Sequence, residues 1–132
     1  MKKLSVCLVM VVFLVVSCGE QGQARASARD LVGNYATDFN TGKELLSLNA
    51  DGTFVQVFTS TKSRITTRGK WHLDNEFLGA TEVLLEGNLA SEDDDKNSQP
   101  IYGQRSLIVH REQGKLKLAL NETSDWFYDR AN

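Results

Sequence analysis

Ile65-Thr66-Thr67-Arg68-Gly69-Lys70-Trp71-His72-Leu73 is the stretch whose reading decides the fold. Taken in steps of two, Ile65, Thr67, Gly69, Trp71 and Leu73 fall on one face. Thr66, Arg68, Lys70 and His72 fall on the other. A period of two is the signature of a strand with one face buried and one in water. Nothing of comparable length in the rest of the chain beyond residue 30 shows helical periodicity.

Working outward, short alternating or apolar runs recur, broken by turn residues. They predict strands at Val32–Thr37, Glu44–Leu48, Thr53–Ser60, Ile65–Leu73, Thr81–Glu86, Gln104–His110, Lys115–Leu120 and Ser124–Asp129. Asp51-Gly52 is a strong hairpin signal. Asp38 to Gly42 and Glu112-Gln113-Gly114 supply two further turns, and the single proline is Pro100. Eight strands joined mostly by tight turns give the expected fold class: all-β, an antiparallel up-and-down β-barrel. A β-sandwich is the alternative, since strand count alone does not separate the two. The longest break, Gly87 to Tyr102, carries Ser91-Glu92-Asp93-Asp94-Asp95-Lys96. Clustered carboxylates suit Ca²⁺, but the run lacks the alternating ligand spacing and glycine of a calcium loop. It reads as a solvated acidic loop, and no metal site is assigned.

The first eighteen residues have a different texture. Lys2 and Lys3 precede an apolar run from Leu4 to Val16, which ends in Ser17-Cys18. A basic start, a short apolar stretch and small residues at its exit form an export signal. At about 13 residues the run is shorter than the roughly 20 that a spanning helix needs. Val15-Val16-Ser17-Cys18 resembles the lipobox of bacterial lipoproteins. That resemblance implies cleavage before Cys18, a diacylglyceryl group on its thiol and an acyl chain such as palmitate on the new amine. Two or more chains hold a protein stably at a membrane. Gly19 stands where retention in the inner membrane usually calls for Asp. The expected localisation is therefore lipid-anchored in the cell envelope, at the outer membrane facing the periplasm.

These readings divide the chain into a signal peptide (residues 1–17), a lipidated Cys18 with a flexible tether (18–29) and a β domain (30–132). The tether, Gly19 to Arg29, contains no large apolar residue. Cys7 leaves with the signal and Cys18 is acylated, so no thiol remains for a disulfide, a metal or a nucleophile. About 115 residues remain after cleavage, enough for one domain with its own core. Losing Lys2 and Lys3 takes the formal charge from −2 to about −4. A nucleic-acid partner is not expected, because that calls for a clustered basic face.

Three motifs follow in order: Leu31-Val32-Gly33-Asn34-Tyr35, then Leu46-Ser47-Leu48-Asn49-Ala50-Asp51-Gly52-Thr53-Phe54, then Gly69-Lys70-Trp71. Together they resemble the small lipocalin-like domains found in many bacterial lipoproteins, over roughly Leu31 to Leu73. Tyr35 stands where large lipocalins carry Trp. The Gly-x-aromatic pattern has a physical reading, since glycine admits a close neighbour and a ring two residues on can plug a barrel. Tyr35 and Trp71 are therefore expected in the core.

The search for reactive groups returns little. No Gly-x-Ser-x-Gly elbow occurs, His72 and His110 are the only histidines, and no spaced ligand cluster accompanies them. Asn121-Glu122-Thr123 has the form of a glycosylation acceptor, which a bacterial lipoprotein rarely uses. The chain reads as non-enzymatic, with no cofactor. The expected function is a tethered barrel that binds a small hydrophobic or amphipathic ligand, with Leu46, Leu48, Phe54, Phe58, Trp71, Leu73, Leu116 and Leu118 as its walls. The alternative is a protein-interaction module, an inhibitor or accessory subunit of an envelope complex. Val55, Val57 and Phe127 would then be the outward apolar contacts.

Overall fold

The computed structural model describes residues 22–74, 79–91, 101–120 and 126–131. Its elements are β1 (Gly22–Gln23), α1 (Ala28–Leu31), β2 (Gly33–Phe39), β3 (Gly42–Leu48), β4 (Thr53–Thr59), β5 (Arg64–Asp74), β6 (Glu82–Ser91), β7 (Ile101–Glu112), β8 (Lys115–Ala119) and β9 (Phe127–Arg130). Strands β2 to β9 pair antiparallel in chain order, and β9 returns to β2. The result is a closed eight-stranded up-and-down barrel with β1 as an added strand. Closure removes the open edges that a sandwich would keep, so the barrel holds and the sandwich does not.

Register follows the alternation. Tyr35 opposes Leu46, Leu46 opposes Gln56 and Gln56 opposes Thr67, all on the inner face. On β5 the inward set is the one read from Ile65 to Leu73, with Thr67 and Trp71 buried and Arg68, Lys70 and His72 exposed. Tyr35, Leu46, Leu48, Phe54, Leu85, Leu107, Leu118 and Tyr128 are all at or below 1% exposure, in one continuous interior. Each such side chain withdrawn from water contributes about 1.5–3 kcal/mol.

The turns are chemically specified. Gly52 adopts φ +82° in the β3–β4 turn, while the Asp51 carboxylate accepts from both the backbone N–H and the hydroxyl of Thr53. Those two bonds hold the Asp51 carboxyl below its ordinary range. Gln113 and Gly114 both have positive φ in the β7–β8 turn, matching the twist of a two-residue hairpin. At Gly69 a Cβ would lie 2.6 Å from the Phe54 ring and 2.0 Å from the Glu86 carbonyl oxygen. Only a residue without a side chain lets that ring cross the strand.

The β1-proximal end of the barrel is built as a closed end. Trp71 Nε1 donates to the Asn49 carbonyl at 2.9 Å, and the Tyr35 hydroxyl donates to the Leu31 carbonyl at 2.8 Å. Leu31 itself is fully buried, carried there by α1. Ser27 caps that single turn, with Ser27 and Asp30 bonding each other's backbone N–H groups.

Two expectations are corrected. The tether is not free from Gly22 onward: Gly22 and Gln23 pair with Arg111 and His110 on β7, and Ala24 bonds Val109 and Thr81 through its backbone. Backbone pairing needs no apolar side chain, so composition concealed it. The break between the fifth and sixth strands is also shorter than Gly87 to Tyr102. Gly87 is the pivot of a bulge within β6, at φ +82°, and β6 continues to Ser91 while β7 begins at Ile101. The acidic run from Glu92 to Lys96 and the Asn121-Glu122-Thr123 sequence lie outside the described residues.

Candidate functional site

The inward-facing side chains change character along each strand. On β3 the inner face runs Leu48, Leu46, Glu44, and on β4 Phe54 gives way to Gln56 and then Phe58. The β6 bulge adds one residue, which shifts the inward parity from Val83 and Leu85 to Asn88. On β7, Arg105 shares its face with Leu107 and Val109. These four elements gather Glu44, Gln56, Asn88 and Arg105 in one half of the interior, with Tyr128 of β9 reaching in.

The bonds converge on a single carboxylate oxygen. Glu44 Oε1 accepts from the Tyr128 hydroxyl at 2.6 Å, Gln56 Nε2 at 2.8 Å and Arg105 Nη1 at 3.3 Å. Arg105 also donates to the Tyr128 oxygen at 2.7 Å and to the Leu89 carbonyl at 3.0 Å. Gln56 Oε1 receives the Leu89 N–H at 2.8 Å, and Asn88 Nδ2 donates to the Leu89 carbonyl at 2.9 Å. Burial first, and then the charge of Glu44, push the Tyr128 hydroxyl well above the ordinary tyrosine range. It therefore stays a donor to that carboxylate. The Glu44 side chain is 3% exposed and that of Arg105 17%, so the network meets solvent on the Arg105 side.

Two polar atoms within this half have no partner among the described residues: Thr67 Oγ1, beside Gln56 in the register, and Asn88 Oδ1. Buried polar groups nearly always find a partner, and leaving one bare costs about 1–3 kcal/mol. The orphaned pair is thus hydrogen-bonding capacity that the described residues do not use.

The eight expected wall residues fall into two sets. Leu46, Leu48, Phe54, Trp71, Leu116 and Leu118 belong to one contiguous packed cluster, with Leu73 against its edge. Phe58 is buried at the polar end, where it closely approaches Gly42. The first seven come together as packing for one another, and Phe58 stands apart from them. The polar partners Glu44, Gln56, Asn88 and Arg105 were not anticipated, though Glu44 shares its parity with Leu46 and Leu48, which is a readable signal.

Outside the barrel, Val55 and Val57 are half-buried on the outer face, beside Leu45 at 51% exposure. Phe127 is covered locally by Ala80, Ile108 and Ala119, and stands edge-on to His110 at 5.3 Å. Burial holds the His110 imidazole below its ordinary value. His72 is exposed and 3.7 Å from Glu86. Among the described residues no three His, Cys, Asp or Glu side chains gather around a common point. A surface cleft of about 900 Å³ opens at the closed end, lined by α1, the β7–β8 turn and the end of β9.

No family model, curated protein or solved structure matches this chain. The lipocalin-like resemblance therefore rests on the three motifs and on strand order alone.

Proposed function

We propose that this chain is an envelope lipoprotein, anchored through Cys18, whose non-enzymatic barrel binds a small amphipathic ligand by its polar group. One observation carries the reading: a polar half of the interior that meets solvent beside Arg105 and keeps two buried hydrogen-bonding atoms, Thr67 Oγ1 and Asn88 Oδ1, with no partner among the described residues. The packed cluster around Leu46 and Phe54 supports this end over an apolar pocket deep in the barrel. A ligand headgroup with a hydroxyl or amide would supply the missing partners, and its apolar part would lie against Phe58.

The test is native mass spectrometry of the full-length protein extracted from its own membrane in mild detergent. The expected result is an adduct beyond the acyl groups on Cys18, lost on denaturation and lost in the isosteric Thr67→Val variant. A mass accounted for by acylation alone would overturn the ligand reading.

A second reading is supported by Leu45, Val55 and Val57, which place adjacent apolar groups on the outside of β3 and β4. As an interaction module the barrel would present this strip to another envelope protein. Leu45→Ser with Val57→Ser should then leave the unfolding midpoint nearly unchanged and abolish recovery of a cross-linked partner. Unfolding would instead show that the strip belongs to the fold.

A further inference from the structure

The closed end of the barrel carries a cationic cleft beside the start of β1. Arg29, Arg111, Lys115 and Arg130 line it. The acidic groups there are already engaged. The Asp30 carboxylate serves the α1 cap, and Glu112 and Asp129 both pair with Lys117. Arg130 donates to the carbonyls of Asp30 and Val32 at 2.7 and 2.6 Å, which fixes its guanidinium, and among the described residues no carboxylate pairs with it. Arg29 and Arg111 lie close enough to Asp30 for their charges to help keep its carboxylate ionised, after the larger effect of the Ser27 bonds. The cleft thus holds five cations and three carboxylates: Lys117 is paired with two of the carboxylates, the third is committed to the helix cap, and Arg29, Arg111, Lys115 and Arg130 give the surface its positive excess.

Its position specifies the occupant. Gly22 opposes Arg111, and β1 runs antiparallel to β7, so β1 begins at this same end. Only three residues separate Gly22 from Cys18, a contour of about 14 Å at most. Resting on the lipoprotein reading of Cys18, we infer that the closed end docks on the anchoring membrane, with the Arg29–Arg111–Lys115–Arg130 cleft binding the phosphate headgroups of anionic lipids. The polar half of the interior, at the opposite end of β7, is then held facing away from the bilayer. Basic residues near an anionic surface each strengthen binding roughly five-fold, an effect that salt screens.

The experiment uses the chain from Cys18 to Asn132 with Cys18→Ser, which keeps every barrel strand but removes the lipid. Cosedimentation is measured with vesicles of phosphatidylglycerol in phosphatidylcholine and with phosphatidylcholine alone. The expected result is binding to the first only, weakened by salt, and reduced on the order of ten-fold or more when Arg29, Arg111 and Lys115 are all changed to Gln. These three are exposed or half-exposed, and an unchanged melting temperature shows that the variant is folded. Equal binding to both vesicles, or full retention by the variant, overturns the proposal. Millimolar inorganic phosphate is the second arm. If it binds the cleft and the vesicles do not, the site takes free phosphate and the membrane docking is wrong. The mass of the membrane-extracted wild-type chain tests the lipidation separately, so failure of one reading is not mistaken for failure of the other.

Discussion

Leu48, Leu116 and Trp71 fill one half of the barrel interior, and Glu44, Gln56 and Arg105 fill the other, yet β3, β4, β6 and β7 contribute to both. Inward parity is common to the two halves. What differs is the tolerance of each. Apolar packing is non-directional, and a lost contact is felt in proportion to the volume removed. The polar half depends on every member: donors converge on one carboxylate oxygen, and removing a partner strands a charge in a poorly solvated place. A barrel this small can evidently be closed by either solution, but only the polar one leaves atoms with something still to bind.

The largest expected effect breaks the apolar half. Phe54→Ala should cost about 3–5 kcal/mol in urea unfolding, because the ring is fully buried and crosses Gly69. A loss below about 1 kcal/mol would mean that this half is loosely filled, and would return the deep pocket to consideration. Next comes the polar half. Arg105→Met should cost about 3 kcal/mol, at the low end for a broken buried pair because Arg105 keeps some solvent contact. Adding Glu44→Met should restore much of that loss. If the single change costs only a few tenths, the network is solvated and the contrast between the halves dissolves.

The smallest effect lies outside the barrel, at His110. Its pKa in the folded state is held below 6.5 by burial. As pH falls from about 7 through 6.5 and lower, the unfolded chain takes up the proton first, so stability falls with it. His110→Leu should flatten that fall between urea midpoints measured at pH 7.5 and 5.5. An unchanged slope would assign the acid sensitivity to other groups.

Much of this architecture was legible in advance. The alternation from Ile65 to Leu73, and the turn chemistry of Asp51-Gly52 and Gln113-Gly114, contain the strand directions and their order. The barrel was the expected fold, but local pattern alone could not separate it from a sandwich, because the pairing of Tyr35 with Arg130 that closes it is a tertiary event. The strapped segment escaped for another reason: Gly22 and Gln23 bind through backbone groups, which any sequence possesses. Ser27 and Asp30 carry a capping signal, but the small polar residues around them give no local cue that the capped turn packs onto the barrel. Arg105 escaped because a charged residue on an alternating strand is by default assigned to water. Its place inside depends on Glu44, sixty-one residues earlier in the chain.

The seam between the first and last barrel strands has a consequence in time. The contacts of Arg130 with Asp30 and Val32 join residues about a hundred positions apart. Contacts of such long sequence separation form late and slow folding. While the chain emerges from its N-terminus, β2 to β8 can zip in succession as hairpins, but the barrel remains an open sheet until Phe127–Arg130 arrives. Throughout that interval β2 exposes an unpaired edge to any neighbouring chain. Truncation by a handful of C-terminal residues would make that transient state permanent, so the final strand acts as the clasp that turns an aggregation-prone open sheet into the closed barrel.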